Sequence, residues 1–572
     1  MHRPDVSARI LAGLLLLLPG LLRSRDTPPD FGPNVLIFDP AMTDIQSRIN
    51  ALFARRERSE FGPGRVAYLF KPGEYHLDVQ MGFCMQALGL GRSPDEVGIT
   101  GAVRSKADWA RNHNATVNFW RGAENLAVTP TLEDKVNVWA VSQGTALRRV
   151  HFHGNVALWD GGWASGGFMA DCKIDGQVNS GTQQQWLSRN ADWGRWIGSS
   201  WNMVFVGVAH PPEGRWPSPP YTVVEQTPLS REKPYLFIDA AGDYFVFVPD
   251  LATDTKGITW AAGPTPGRAL PISQFYLARP ERDNAATINA ALRDGRDLIL
   301  TPGIYHLETS VEVTRPETVV LGLGYATLVP DRGTPALTIA DVEGVKIGGL
   351  LLEAGPVNSP VLLQVGPAVG GADHAANPVF LYDIFCRATT GTADCFVTIN
   401  SNNVVGDNLW LWRADHGPGA AWTVNRNAHG LIVNGNDVTL YGLFVEHTQE
   451  YQTLWNGNGG RVYFYQSEIP YDPPSQAAWM NGTVRGFASY KVAANVTRHE
   501  AWGVGVYSVF HEPGVILENA IETPDVPGVK IHHMVTLRLG LQTTSGINHI
   551  INGRGNSVIT AKMARLDESQ PP

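Results

Sequence analysis

The sequence is short of charge. Asp, Glu, Lys and Arg make up 17% of its 572 residues, and the formal net charge is −9. It contains no run of Lys or Arg, which excludes a nucleic-acid partner on electrostatic grounds. A neutral polymer such as a glycan would meet no repulsion. Cysteine is scarce: Cys84, Cys172, Cys386 and Cys395 are the only four, and their spacing fits no zinc site. Long apolar runs are missing beyond Ile10–Leu22, which is too short for a comfortable membrane span. That run follows Arg3 and Arg9 and gives way to a polar stretch. It reads as the core of a signal peptide over residues 1–24, which predicts a secreted, extracellular protein with no stable membrane insertion.

What is abundant is Gly (60) and Pro (39), with 43% hydrophobic residues. The hydrophobic content excludes a disordered chain. High Gly with low charge suits many short strands joined by tight turns. The 17 Trp serve core packing more often than ligand platforms.

An internal repeat organises the chain. "FKPGEYHL" (Phe70–Leu77) is followed by "LGLG" (Leu88–Gly91), and "LTPGIYHL" (Leu300–Leu307) by "LGLG" (Leu321–Gly324). Each copy is preceded by an amphipathic segment. In Thr43–Arg56 the residues Ile45, Ile49 and Leu52 have helical spacing, and Thr43 with Gln46 has the spacing of a capping box. In Asn284–Gly295, Ile288 and Leu292 face inward and Gly295 terminates. Short apolar runs then recur between Gly, Asn and Asp. Val404, Val438 and Val462 are read as the starts of equivalent segments, and the Asn residues before them suit left-handed turns.

These features predict an all-β chain of two tandem right-handed parallel β-helices of the pectate-lyase-like kind. Each is opened by a short capping α-helix that covers its exposed first coil. The domains are expected at 30–255 and 283–560, with a Gly/Pro/Thr-rich connector at 256–282. Regular strand–turn spacing alone would also allow a β-sandwich with a propeller, but the duplicated cap and Pro-Gly unit argues against it. In this frame a Cys84–Cys172 pair would join neighbouring coils and a Cys386–Cys395 pair would close a loop; buried free thiols are the equal alternative.

Glu446 and Glu468 are 22 residues apart, each at the end of an apolar strand. One coil of separation stacks them on neighbouring rungs. Two carboxylates held close raise the pKa of one, giving a proton donor beside an ionised partner. Trp410, Trp412, Tyr451, Trp455 and Tyr471 accompany them, with Gln466 two residues before Glu468. Aromatic faces with interspersed polar groups bind sugar rings.

The segments "NLWLWRADHG" (Asn408–Gly417), "LFVEHTQEYQTLWN" (Leu443–Asn456) and "YQSEIPYDP" (Tyr465–Pro473) resemble glycoside hydrolase family 55 in order and spacing. The resemblance implies an inverting, mostly exo-acting β-1,3-glucanase on a bihelical fold, with a polysaccharide substrate and no metal or cofactor. It implies Glu468 as general acid, Glu446 beside the attacking water, and Asp415 and His416 near the terminal sugar. It also implies first-domain Gln residues in the water network. Gln183 and Gln185 alternate to one side of a strand; Gln184 points the other way and is the alternative. Ser467 and Asp472-Pro473-Pro474 depart from the family pattern beside the acid. A polysaccharide lyase would need a basic residue or a cation at the cleft, where Lys is scarce. A non-catalytic glycan-binding solenoid is the remaining alternative. The protein is expected to be a monomer.

Overall fold

A computed structural model describes residues 29–569; the expected signal peptide lies outside them. The main wall of the first stack is a parallel ladder. It runs from Val35–Phe38 through Val66–Phe70, Met85–Gly89, Arg121–Pro130 and Ala146–Phe152 to Tyr221–Val224. The corresponding wall of the second stack begins at Phe275–Ala278 and Asp297–Leu300. It climbs through Phe380–Ala388, Val405–Arg413, Thr439–Glu446 and Gly460–Glu468 to Val529–Arg538, where antiparallel Met563–Glu568 closes it. A nine-stranded parallel sheet from Val311–Val313 to Gly546–Ile551 forms its other wall. Between the stacks, Thr227–Ser230 pairs antiparallel with Ala252–Thr255, and Tyr235–Ile238, Tyr244–Pro249 and Gly267–Pro271 form a small antiparallel sheet.

The sequence repeat has one structural meaning in both copies. The Tyr75 hydroxyl donates to the carbonyls of Phe38 and Lys71, and the Tyr305 hydroxyl to those of Ala278 and Thr301. Each Tyr therefore ties the Pro-Gly turn to the coil below it. The helices α1 (Ile45–Arg56) and α2 (Ala285–Arg293) sit ahead of these turns. In α2, Asn284 and Thr287 form a reciprocal capping box. The expected Thr43–Gln46 box is absent. α1 starts after Asp44 with no side-chain cap, and the Gln46 amide instead pairs with the backbone of Asp78, clamping the helix to the first coil.

A left-handed residue recurs once per coil in the second main wall. Asp383, Asn408, Gly442, Phe464, Gly503 and His533 have φ between 50° and 73°, and the ladder skips them: Tyr382 pairs with Asp407, then Ile384 with Leu409. This step resets the in–out alternation. Leu440 and Leu443 thus fill the coil interior, while Tyr441 and Phe444 both face outward. Register also corrects the equivalence read from the valines. Val405 pairs with Thr439 and Thr439 with Arg461, so Gly460, not Val462, corresponds to Val438. A side chain at 460 would collide with the ring of Trp455.

The two outward faces pack on each other. Phe119, Trp120, Phe168 and Leu187 of the first stack meet Phe385, Trp410, Trp412 and Phe444 of the second. Gly144, at φ +68°, lets the chain pass where a Cβ would lie 2.7 Å from the Trp410 ring. A buried ionic network crosses the interface: Arg148 binds Asp383 and Asp407, and Arg189 binds Asp407 and Glu232. Such forked pairs cost desolvation, and they fix relative position because only one geometry satisfies them. All four cysteines are buried free thiols. Cys172 lies in the first core and Cys84 in the interface cluster, on opposite sides of the wall, so no bridge joins them. Cys395 directs its sulfur to the carbonyls of Val397 and Gly430 and is not bonded to Cys386.

Candidate active site

The ladder places Trp412, Glu446, Glu468 and Tyr507 in one row, each paired with the next. The 22-residue coil is what puts the two glutamates side by side and facing outward, toward the first stack. There a cavity of about 290 Å³ opens between the two β-helices. Glu446, His447, Glu468, Trp412, Asp415, His416 and Tyr471 line it from the second stack. Thr116, Val117, Phe119, Gln143, Ser165 and Gln184 line it from the first.

Glu446 is held by three donors. Oε1 accepts from Gln143 and Gln466, each at 2.7 Å, and Oε2 from the Trp410 indole at 2.7 Å. A carboxylate offers about four lone-pair sites, so Oε2 keeps one free to take a proton from water. Burial raises its pKa and Asp415 adds to this, while Trp410, Gln466 and Gln143 pull it back, leaving it at about 7. Glu468 has less help. Its Oε2 accepts from the Tyr471 hydroxyl. Burial, then the charges of Glu446 and Asp415, push its pKa well above the usual carboxylate range. One member is therefore built to stay protonated and the other to ionise first.

Asp415 supplies fixed charge to the floor. Burial works against its ionisation, yet His447 and His416 hold its pKa well below the ordinary value. Burial also opposes the charge on His416, but hydrogen bonds to Asp415 (3.0 Å) and Glu60 (2.9 Å) raise its pKa to about 10. The Trp412 indole donates to Asp415 as well. Asp472, which departs from the family pattern, forms a forked pair with the buried Arg413. An aromatic path leads outward from the acid: Tyr507 packs on Trp201 (5.1 Å) and Trp201 on Trp163 (6.1 Å), which is 49% exposed.

Several expected residues fall elsewhere. Gln183 is a structural clamp, bonded to the backbone of Gly166, Val141 and Leu158. Gln185 is buried beside Gly166 and Gln143 without a hydrogen-bond partner and does not line the cavity; Gln184 does. Trp455 is fully buried in the second core, so it cannot be a sugar platform. Tyr451 stacks on His429 and accepts from Asn481, off the cavity. Trp410 and Gln466 are buried behind Glu446 and orient it. Gln143, Ser165, Trp163 and Glu60 went unnoticed in the sequence. None of the four carries a local signal that separates it from other polar residues.

Two buried carboxyls in register, one protonated and one poised over a free lone pair, beside a cavity walled by aromatics and hydrogen-bonding groups, define a glycoside hydrolase. Comparison with known proteins agrees. Residues 275–468 match the LAM55 pectate lyase-like domain. An exo-β-1,3-glucanase of Streptomyces sp. (strain SirexAA-E / ActE) is 46% identical over 534 residues, covering 92% of this chain and 87% of that protein. The solved structure of sacteLam55A from Streptomyces sp. SirexAA-E superposes with a TM-score of 0.92 at 44% identity, covering 94% of this chain and 99% of that one. A glutamate-to-alanine variant of the same enzyme in complex with glucose superposes with a TM-score of 0.91 at 44% identity, covering 94% of this chain and 98% of that one. The chain belongs to glycoside hydrolase family 55.

Proposed function

We propose that this protein is a secreted, inverting exo-hydrolase of β-1,3-glucan. The observation that carries the reading is the Glu446–Glu468 pair, adjacent on the ladder and opposite in hydrogen-bonding character. The named activity of the 46%-identical Streptomyces relative supports the substrate and the exo mode. Among the described residues no helix is long and apolar enough to cross a membrane.

In the proposed reaction the terminal sugar lies over Trp412, with hydroxyls on Asp415 and His416. Protonated Glu468 gives its proton to the glycosidic oxygen as the oxocarbenium-like transition state forms. A water held on Oε2 of Glu446, and reached by Ser165 and Gln184 at the cavity wall, attacks from the opposite face. Glu446 takes up the proton it loses. The leaving chain departs along Trp201 and Trp163.

The test is Glu468→Gln assayed on laminarin, with the first-formed sugar anomer followed by NMR in the parent enzyme. The variant should lose about 10²–10⁴-fold in kcat, the contribution of a positioned acid, and the parent should release α-glucose first. Near-normal turnover by the variant, or β-glucose as first product, would overturn the reading.

A further inference from the structure

A second cluster lies on the flank of the first β-helix, and none of its residues lines the catalytic cavity. His151, near the end of strand Ala146–Phe152, and His153, just beyond it, are two residues apart, and their rings lie side by side. Lys173 pairs with His151 on the next rung, which brings Asp175 beside His153. The short turn Pro94–Glu96 carries Asp95 over both rings.

The hydrogen bonding of this group is one-sided. Asp175 faces one nitrogen of each ring: Nε2 of His151 at 3.1 Å and Nδ1 of His153 at 3.0 Å. If the two rings donate there, their remaining nitrogens carry lone pairs. Those nitrogens, Nδ1 of His151 and Nε2 of His153, face a single oxygen, Oδ1 of Asp95, at 2.6 and 3.5 Å. Three electron-pair donors then converge on one point, and the ring centroids are 3.8 Å apart. A single cation at that point can accept all three lone pairs. A carboxylate that takes the outer N–H of each ligating imidazole is the usual outer support of a metal site.

We propose that Asp95, His151 and His153 bind a divalent transition metal of the zinc class, with Asp175 orienting both imidazoles. Two imidazoles and one carboxylate form a borderline donor set that suits Zn²⁺, Co²⁺ or Ni²⁺ over Mg²⁺ or Ca²⁺. Bond lengths of about 2.0–2.2 Å place tetrahedral donors about 3.3–3.6 Å apart. The His153 contact already matches, and the Asp95 turn has only to open slightly. Asp95 lies on an exposed turn and is free to do so. His151 is 5% exposed, so the donor set has a buried anchor. Lys173, 3.4 Å from Asp175, balances the outer carboxylate. The site is structural: it staples the turn at Pro94–Glu96 to two rungs of the stack.

The test uses the whole untagged protein, stripped with chelator and titrated with Zn²⁺ by calorimetry and with Co²⁺ by visible absorbance. One equivalent should bind, with a tetrahedral Co²⁺ spectrum and a raised unfolding temperature. Asp175→Asn should weaken binding by about 10–100-fold, and His153→Gln and Asp95→Asn by at least as much. His113→Gln, at the separate Asp108–His113–Asp160 cluster, should leave the Co²⁺ spectrum unchanged. Far-UV circular dichroism and laminarin hydrolysis report that each variant is folded. No saturable binding below about 1 mM, or equal binding by the parent and the folded His153→Gln variant, would overturn the proposal.

Discussion

Replacing Gln143 with Leu tests the division of labour between the two carboxyls most directly. Gln143 is buried, and its amide lies 2.7 Å from Oε1 of Glu446. Leu keeps much of the volume and removes the donor. A hydrogen bond to a charged group contributes about 1.5–3 kcal/mol, and each pKa unit corresponds to about 1.36 kcal/mol, so the pKa of Glu446 should climb by about 1–2 units. It starts at about 7. Glu446 has to be ionised to accept a proton from water, so activity rises with pH through its pKa. Glu468 has to be protonated, so activity falls again at higher pH. In the variant the rising limb moves up while the falling limb stays, and the bell narrows from its acid side. At mildly acidic pH, kcat/KM should drop by about 10–100-fold, and part of the loss should return as pH rises.

The assay is kcat/KM on a soluble laminari-oligosaccharide from acidic to alkaline pH, with unfolding temperature measured in parallel. A uniform loss at every pH, with the rising limb unmoved, would refute the assignment of that limb to Glu446.

Glu468 also makes a stability prediction. Its folded pKa lies above the unfolded value of about 4.3. The native state therefore holds this proton more tightly, and the favourable contribution present at low pH is lost as pH rises through the folded pKa. Glu468→Gln should resist denaturant better than the parent near pH 8 and equal it near pH 4, read by urea unfolding; an offset that is the same at both pH values would contradict this. Trp163→Ala should lower kcat/KM by about 2–10-fold on long oligosaccharides and leave the disaccharide nearly unaffected, because its ring lies two aromatic contacts out from the acid. Equal losses on both substrates would remove Trp163 from the leaving-chain path.

What could be read in the sequence depended on how local the signal was. The cap helices and the 22-residue step between the glutamates lie within a coil or two, so periodicity reveals them, and the Pro-Gly-x-Tyr-His-Leu repeat is a direct match between the two halves. The Val462 equivalence failed because the left-handed step at Phe464 and the glycine at 460 are backbone features that hydrophobic pattern does not mark. Tyr451 and Trp455 were misplaced for a related reason. They follow the turn after Glu446, and the chain there carries them to the other wall, where Trp455 joins the core. Gln143 and Ser165 lie about 300 residues from the carboxylate they serve. Nothing local announces them, and alternation within "GTQQQW" favoured Gln183 and Gln185, whereas Gln184 is the one that lines the cavity.

That distance explains why the enzyme needs two stacks. A single β-helix can set two glutamates side by side, but donors from the same ladder all lie on the same surface as the carboxylates. Trp410 and Gln466 approach Glu446 from within its own wall, while Gln143 reaches it from the facing wall. The registration between walls must then be fixed to a fraction of an ångström for a 2.7 Å contact to persist. Asn408 provides a local gauge: its amide donates to the carbonyl of Thr145 at 3.0 Å. Thr145 is two residues beyond Gln143, and Asn408 two residues before Trp410. One cross-wall bond thereby sets the position of two of the three donors to Glu446. The ionic forks at Arg148 secure the same height of the interface, since Arg148 also binds the carbonyl of Asp407, next to Asn408. Buried charge that adds little net stability is retained where a slip of one rung would leave Glu446 without its outer donor.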